Sequence, residues 1–285
     1  MVTKAVILAG GLGTRFLPVT KAFPKEMLPI VNKPALQHIA AEVEQSGIKE
    51  LGILINGDKE AVRRYFTRDK KLEEFLESKN KPEFLRLLRE ISNLDIRFLI
   101  QKQPLGSGHA VLCCRDFLGK DDFALLNGDD LVYSDVPATL QLTGCFEKYR
   151  RTVVGVQAVP RSQIGLYGVV RIVKSDGRAH IIDRIIEKPR PHEVCSELAS
   201  LGRYVFRNDI LDVLEHQKPA PNGEIQLTDA INTQAEQDKA AAFEFTGRRY
   251  DLGSKAGYIE ANIEYALRDP EIGQKVSEYL RKLKK

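Results

Sequence analysis

The chain has 285 residues, 43% of them hydrophobic and 29% charged, enough for a full hydrophobic core and unlike either a disordered tract or a fibre. No apolar run approaches the ~18 residues of a membrane-crossing helix. The run Ala5 to Ala9 breaks into glycines instead of continuing as a signal peptide, so a cytoplasmic protein with no membrane partner is expected. The net charge of +4 is matched by the cations Arg281, Lys282, Lys284 and Lys285 alone, which leaves a neutral body and no electrostatic footprint for nucleic acid.

In chain order, Thr3 to Ala9 is an apolar run closed by glycine and reads as a buried strand. Pro34 opens a helix in which Leu36, Ile39, Ala40 and Val43 share one face, and Gly47 ends it. Leu51 to Asn56 is the next strand. A charged helical stretch follows from about Asp58 to Ser92, interrupted near Pro82. Ile96 to Gln101 and Asp122 to Asn127 are further strands, with a helix from about Gly108 between them. Beyond Arg151, Thr152 to Val159, Tyr167 to Lys174 and Ala179 to Glu187 are strand-like. Helices are expected near Asn208–Glu215, Glu224–Ala235 and Ser254–Leu267, and a last amphipathic stretch carries Ile272, Val276, Leu280 and Leu283. The four cysteines lack metal spacing and are expected to be reduced core residues.

This alternation predicts an α/β fold, a mostly parallel sheet with helices on both faces. Ligands of such sheets bind at the carboxyl ends of the strands. The loop Gly10-Gly11-Leu12-Gly13-Thr14-Arg15 and the turn Gly128-Asp129-Asp130 both fall there. Glycines bring backbone N–H groups close to phosphates, and Arg15 adds a permanent planar charge. Phe16 stands where a dinucleotide loop needs its third glycine, and no Walker Gly-Lys-Ser/Thr follows. Lys25, in Pro24-Lys25-Glu26-Met27-Leu28-Pro29, is stiffened by prolines and can fold back over the glycine loop. Read alone, the glycine loop is also an ordinary turn, Gly-Asp-Asp likewise, and a single lysine a solvated one.

Taken together, the blocks from Leu8 to Pro34, Gly106-Ser107-Gly108-His109, Gly128-Asp129-Asp130, Glu187-Lys188-Pro189, Gly202-Arg203-Tyr204, Gly223 to Ala230 and Arg249-Tyr250-Asp251 resemble the sugar-1-phosphate nucleotidylyltransferases, in family order over nearly the whole chain. Among these they are most similar to the bacterial UTP–glucose-1-phosphate uridylyltransferases. The resemblance implies a three-layer α/β/α nucleotide-diphospho-sugar transferase fold, Rossmann-like, with a central mixed, mostly parallel sheet. It implies one domain over 1–285, about 1–150 binding nucleotide and about 151–285 binding sugar phosphate. The implied reaction moves uridylyl from UTP to glucose 1-phosphate, with Mg²⁺ as cofactor and a homo-oligomer, dimer or tetramer, as the assembly.

Residue by residue, the resemblance assigns catalysis to Arg15, Lys25 and Lys188. The nucleotide falls to Ala9, Gly10, Gly11, Gly13, Thr14, Arg15, Gln101 and Gly106, with the Gln101 amide offering the base both a donor and an acceptor. The sugar phosphate falls to Asp130, Gly168, Glu187, Lys188, Gly202 and Arg203, and the metal to Asp129 and Asp251. His109 reads as helix packing. Gly10 departs from the alanine usual in the uridylyltransferases. That departure keeps a thymidylyltransferase using dTTP as the alternative, with a non-catalytic sugar-nucleotide binder behind it.

Overall fold

The strand Lys4–Ala9 is buried on both faces, and its side chains divide between two cores. Ala5, Ile7 and Ala9 join one apolar cluster with Leu36 and Ile39 of the helix Ala35–Gln45 and Leu142 of the helix Ala138–Tyr149. Val6 faces the opposite cluster, with Val111, Leu214 and Ile231 from the helices Ser107–Leu112, Ile210–His216 and Leu227–Glu236. A period of two along a strand produces this division, and a run apolar at every position needs cover on both sides. The computed structural model therefore has the three expected layers; it describes residues 1–57, 59–91 and 94–283. Asp58 and Ser92, the expected bounds of the charged stretch, and Lys284 and Lys285 of the basic tail lie outside the described residues.

Among the described residues the central sheet has nine strands. Their spatial order is Asp95–Gln101, Glu50–Asn56, Lys4–Ala9, Phe123–Asn127, Leu198–Phe206, Thr152–Ala158, Ala240–Glu244, Ala179–Glu187 and Gly168–Asp176. The first four are mutually parallel. Leu198–Phe206 runs antiparallel to both its neighbours, and Ala179–Glu187 does the same at the far end. The other strands share one direction, so the sheet is mixed and mostly parallel.

Several elements differ from the sequence-based expectation. The strand Leu198–Phe206 and the helix Ala138–Tyr149 were not anticipated, nor was Ala240–Glu244. Gly202 in the middle of Leu198–Phe206 breaks its apolar pattern, which hides the strand. The charged stretch forms three short helices, Glu60–Phe66, Lys70–Ser78 and Pro82–Arg89. All four cysteines are free; Cys114 and Cys145 are core residues as expected, whereas Cys113 is half-buried and Cys195 exposed. No helix among the described residues is long and apolar enough to cross a membrane.

Two connections bring distant segments to the carboxyl end of the parallel strands. The strand Asp130–Tyr133 pairs antiparallel with Arg248–Asp251, with Asp130 opposite Asp251, and Leu252 N–H donates to Asp129 O at 2.9 Å. Beneath this ribbon lies a buried ion pair. Arg203, fully buried, donates from Nε and Nη2 to the Glu42 carboxylate at 3.0 and 2.8 Å. The same guanidinium donates to Asp130 O at 2.7 Å and Gly202 O at 3.1 Å, while Thr139 N and Oγ1 donate to Glu42. Every strong partner is satisfied, the condition under which a buried pair holds. Arg203→Met strands the Glu42 charge and is expected to cost about 3–5 kcal/mol in urea denaturation, whereas the double variant Glu42→Leu/Arg203→Met recovers most of that loss.

Candidate active site

The glycine loop leaves Ala9 at the end of its strand and turns through Gly13, whose φ of +65° belongs to glycine. Thr20 Oγ1 donates to Gly13 O at 2.8 Å and pins the turn. Lys25 does fold back over the loop: a Cβ placed on Gly11 would lie 3.0 Å from Lys25 Cε. Its ammonium donates to Asp129 Oδ2. Thr14 and Arg15 sit in a short helical turn, and Arg15 Nη1 donates to Gly253 O at 3.1 Å.

Gly253 is where the acidic pair meets. A Cβ built on it would stand 2.9 Å from Asp251 Oδ1, 3.2 Å from Arg15 Nη1 and 3.3 Å from Asp129 Oδ2. Two carboxylates separated by more than a hundred residues thus share one point with a guanidinium. Hard oxygen donors in such a pair, with room for phosphate oxygens, fit Mg²⁺, which commonly takes one or two carboxylates and completes its shell with phosphates and water.

Along from this point runs a cavity of about 360 Å³, lined by Asp129, Asp130, Gly168, Glu187, Lys188, Gly202 and Asp251, together with Asn127, Tyr167, Tyr204, Thr228 and Arg249. Asp130 accepts from Arg249 Nε at 2.6 Å and from Asn127 Nδ2 at 3.1 Å. Burial, seconded by the neighbouring Asp129 charge, lifts its carboxyl above the usual range against the pull of Arg249. Tyr204 is pushed up to about 12 by burial. Lys188 adopts φ +46°, a left-handed conformation that an L side chain takes only under constraint, here with its N–H donating to Tyr167 O at 3.0 Å.

Of the expected sugar-phosphate residues, Arg203 requires correction. Its guanidinium lies under the cavity floor, bound to Glu42 and to backbone carbonyls, and has no face toward a ligand. It positions Asp130 and Gly202 from below. Gly202 has φ +67°, and a Cβ there would fall 2.2 Å from Asp130 Oδ2, so no side chain fits. The two-way role expected of the Gln101 amide is also corrected. Gln101 Nε2 donates to Gly106 O at 3.3 Å and meets His109 Nδ1 at 3.0 Å, which occupies both of its N–H groups. Gly106 thus turns its carbonyl to Gln101, and only Gln101 Oε1 remains free for a base.

Sequence reasoning missed Lys59. Its ammonium donates to Ala9 O at 2.5 Å, Gly11 O at 3.2 Å and Glu26 Oε2 at 3.0 Å, so it gathers the carbonyls of the glycine loop. Glu26 is 1% exposed, and burial lifts its carboxyl above the ordinary range despite Lys59 and Lys25. Gly11, Leu12, Asn56 and Lys59 line a second cavity of about 390 Å³ beside the loop. Arg249 was quoted within a motif but given no role; its pairing with Asp130 is visible only once the ribbon forms.

Comparison with known proteins places the chain. The Nucleotidyl transferase family matches residues 4–267. The UTP–glucose-1-phosphate uridylyltransferase of Bacillus subtilis (strain 168) is 44% identical over 99% of this chain and 97% of that protein. Among solved structures, a UDP-glucose pyrophosphorylase from Acinetobacter baumannii superposes with a TM-score of 0.93 at 34% identity, covering 99% of this chain and 100% of that one. A UTP-bound UGPase from the same organism gives 0.92 at 34% identity with the same coverage.

The steric demand at Gly202 separates it from an unconstrained glycine. Gly202→Ala is expected to destabilise the chain by about 1–3 kcal/mol through strain and displacement of Asp130. Gly144→Ala, in the helix Ala138–Tyr149 where a Cβ meets nothing within 4 Å, is expected to stabilise it by about 0.5–1 kcal/mol. Urea denaturation of the two variants side by side measures both signs.

Proposed function

This chain belongs to the nucleotidyl transferase family, and on that premise we propose that it transfers the uridylyl group of UTP to glucose 1-phosphate, giving UDP-glucose and pyrophosphate. The observation that carries the reading is the convergence of Asp129, Asp251 and Arg15 at Gly253, with Lys25 on Asp129 and the glycine loop alongside. The names of the relatives point to the same substrates.

A phosphate oxygen of glucose 1-phosphate forms a bond to the α-phosphorus of UTP in line with the bond that breaks, and the electron pair of that bond leaves with pyrophosphate. The nucleophile is already an anion, so no general base or covalent intermediate is required. The difficulty is electrostatic: two polyanions must approach, and the leaving pyrophosphate gathers charge. Arg15, Lys25 and the N–H groups of Gly10, Gly11 and Gly13 bind the triphosphate. Thr14 supplies a further polar group at the same loop. Lys188 holds the sugar phosphate, and Asp130 and Glu187 accept from sugar hydroxyls, their carboxylates seated where Gly202 and Gly168 carry no Cβ to displace them. Asp129 and Asp251 would hold Mg²⁺, which neutralises charge on the transferring phosphates. Lys25, already on Asp129, keeps that carboxylate aligned with the glycine loop.

Gly10 does not weigh against UTP. A Cβ there would meet Gln101 Oε1 at 3.5 Å and Asn56 Cβ at 3.7 Å, ordinary contacts, so glycine and alanine are sterically interchangeable. The two halves, about 1–150 and 151–285, would then bind nucleotide and sugar phosphate respectively within one domain. We also propose a cytoplasmic homo-oligomer.

With glucose 1-phosphate and Mg²⁺, pyrophosphate release is expected with UTP well above dTTP, ATP, CTP and GTP, and EDTA abolishes it. A preference for dTTP moves the activity to thymidylyl transfer, and UDP-glucose binding without turnover makes the chain a sensor. Asp129→Asn and Asp251→Asn are each expected to lower kcat by ~100-fold or more with the melting temperature little changed. Near-normal turnover in both removes the metal assignment.

A further inference from the structure

The side of Gln101 away from the glycine loop carries an arrangement that determines which way its amide faces. Gln101 ends the strand Asp95–Gln101, opposite Asn56, and is 6% exposed. The carbonyl of Gly106, 3.3 Å away, can only accept, so the amide atom facing it is the NH₂. That same NH₂ lies 3.0 Å from His109 Nδ1, which must therefore accept, placing the ring proton on Nε2. Cys113 Sγ is 3.8 Å from Nδ1 and 3.9 Å from Nε2, so it packs on the ring without selecting a tautomer. Gly106 cannot yield: its φ is +98°, and a Cβ would meet Ile225 O at 2.6 Å. Gly108 N–H also donates to Ile225 O at 2.8 Å, which anchors the start of the helix carrying His109.

We propose that His109, through its unprotonated Nδ1, is a positioning residue that locks the Gln101 amide with Oε1 toward the glycine loop, and so sets specificity for nucleobases carrying an imide N–H. The proposal rests on Gln101 contacting the base. With both amide hydrogens engaged inside the protein, Gln101 shows the base one acceptor and no donor. Uracil and thymine meet it with N3–H. Cytosine offers a lone pair at N3, leaving two acceptors opposed, and a site built to bond an N–H discriminates strongly against an analogue that lacks it. Without the His109 acceptor, only the long 3.3 Å bond to Gly106 O opposes rotation of the amide, and the share of orientations that present a donor to the base rises.

Leu and Asn have nearly the same shape, but only Asn returns an oxygen close to the place of Nδ1. In the full-length protein at saturating glucose 1-phosphate, His109→Leu is expected to reduce the UTP-over-CTP ratio of kcat/KM by ~10-fold or more, through KM for UTP, with kcat within ~2-fold. His109→Asn restores most of the ratio. Gln101→Ala abolishes it. Equal ratios in His109→Leu and the unmodified enzyme, with the ratio lost in Gln101→Ala, overturn the role of His109 alone. A ratio that survives Gln101→Ala overturns the base contact and this inference with it. On the unmodified protein, ¹⁵N imidazole spectra are expected to show His109 with the proton on Nε2; a proton on Nδ1 overturns the proposal whether or not the variants fold.

Discussion

The Arg203–Glu42 pair sits where the fold and the site are the same object. A charge buried to this depth is tolerable only when every strong hydrogen-bonding position around it is filled. Here the filling groups are Asp130 O, Gly202 O and two donors of Thr139, drawn from the ribbon, the reversed strand and the helix Ala138–Tyr149. Satisfying the two members of this pair therefore fixes four segments relative to each other. Two of those segments carry the carboxylate and the glycine that face the cavity. Stability and site geometry cannot be varied separately at this point, because the same hydrogen bonds serve both.

Above that floor, four cations of the site have a protein anion or carbonyl to hold them. Lys25 touches Asp129, Lys59 joins Glu26 to the loop carbonyls, Arg15 reaches Gly253 O and Arg249 holds Asp130. Preorganised charges of this kind need little rearrangement when a polyanion enters, which is the basis of electrostatic catalysis in a partly desolvated site. His109 extends the same principle from charge to hydrogen-bond polarity, orienting a neutral amide.

The parallel half of the fold was legible because three of its strands, Lys4–Ala9, Glu50–Asn56 and Phe123–Asn127, are mostly apolar runs followed by glycine, a pattern that survives without tertiary information. Leu198–Phe206 was not legible, since its glycine serves a close approach to Asp130 that only the assembled sheet reveals. The loop residues Gly11 to Arg15, Lys25 and the Asp129–Asp251 pair were readable from motif blocks, and the geometry does bring them together. Arg203 was misread because an arginine in a motif signals phosphate far more readily than a buried salt bridge. Lys59 went unnoticed because it lies in a charged stretch with no local pattern. Its significance lies in reaching back fifty residues to Ala9, and no window along the chain contains that relation.

The antiparallel ribbon of Asp130–Tyr133 with Arg248–Asp251 has a consequence for the chain as it is being made. The glycine loop, Lys25 and the four mutually parallel strands lie within the first 127 residues, whereas the second carboxylate arrives only with the strand that ends at Asp251. The residues proposed to bind the triphosphate are therefore synthesised well before the second member of the acidic pair. The two-stranded closure works as a completeness check: synthesis must carry the chain through all nine strands of the central sheet before the two halves of the acidic pair can meet.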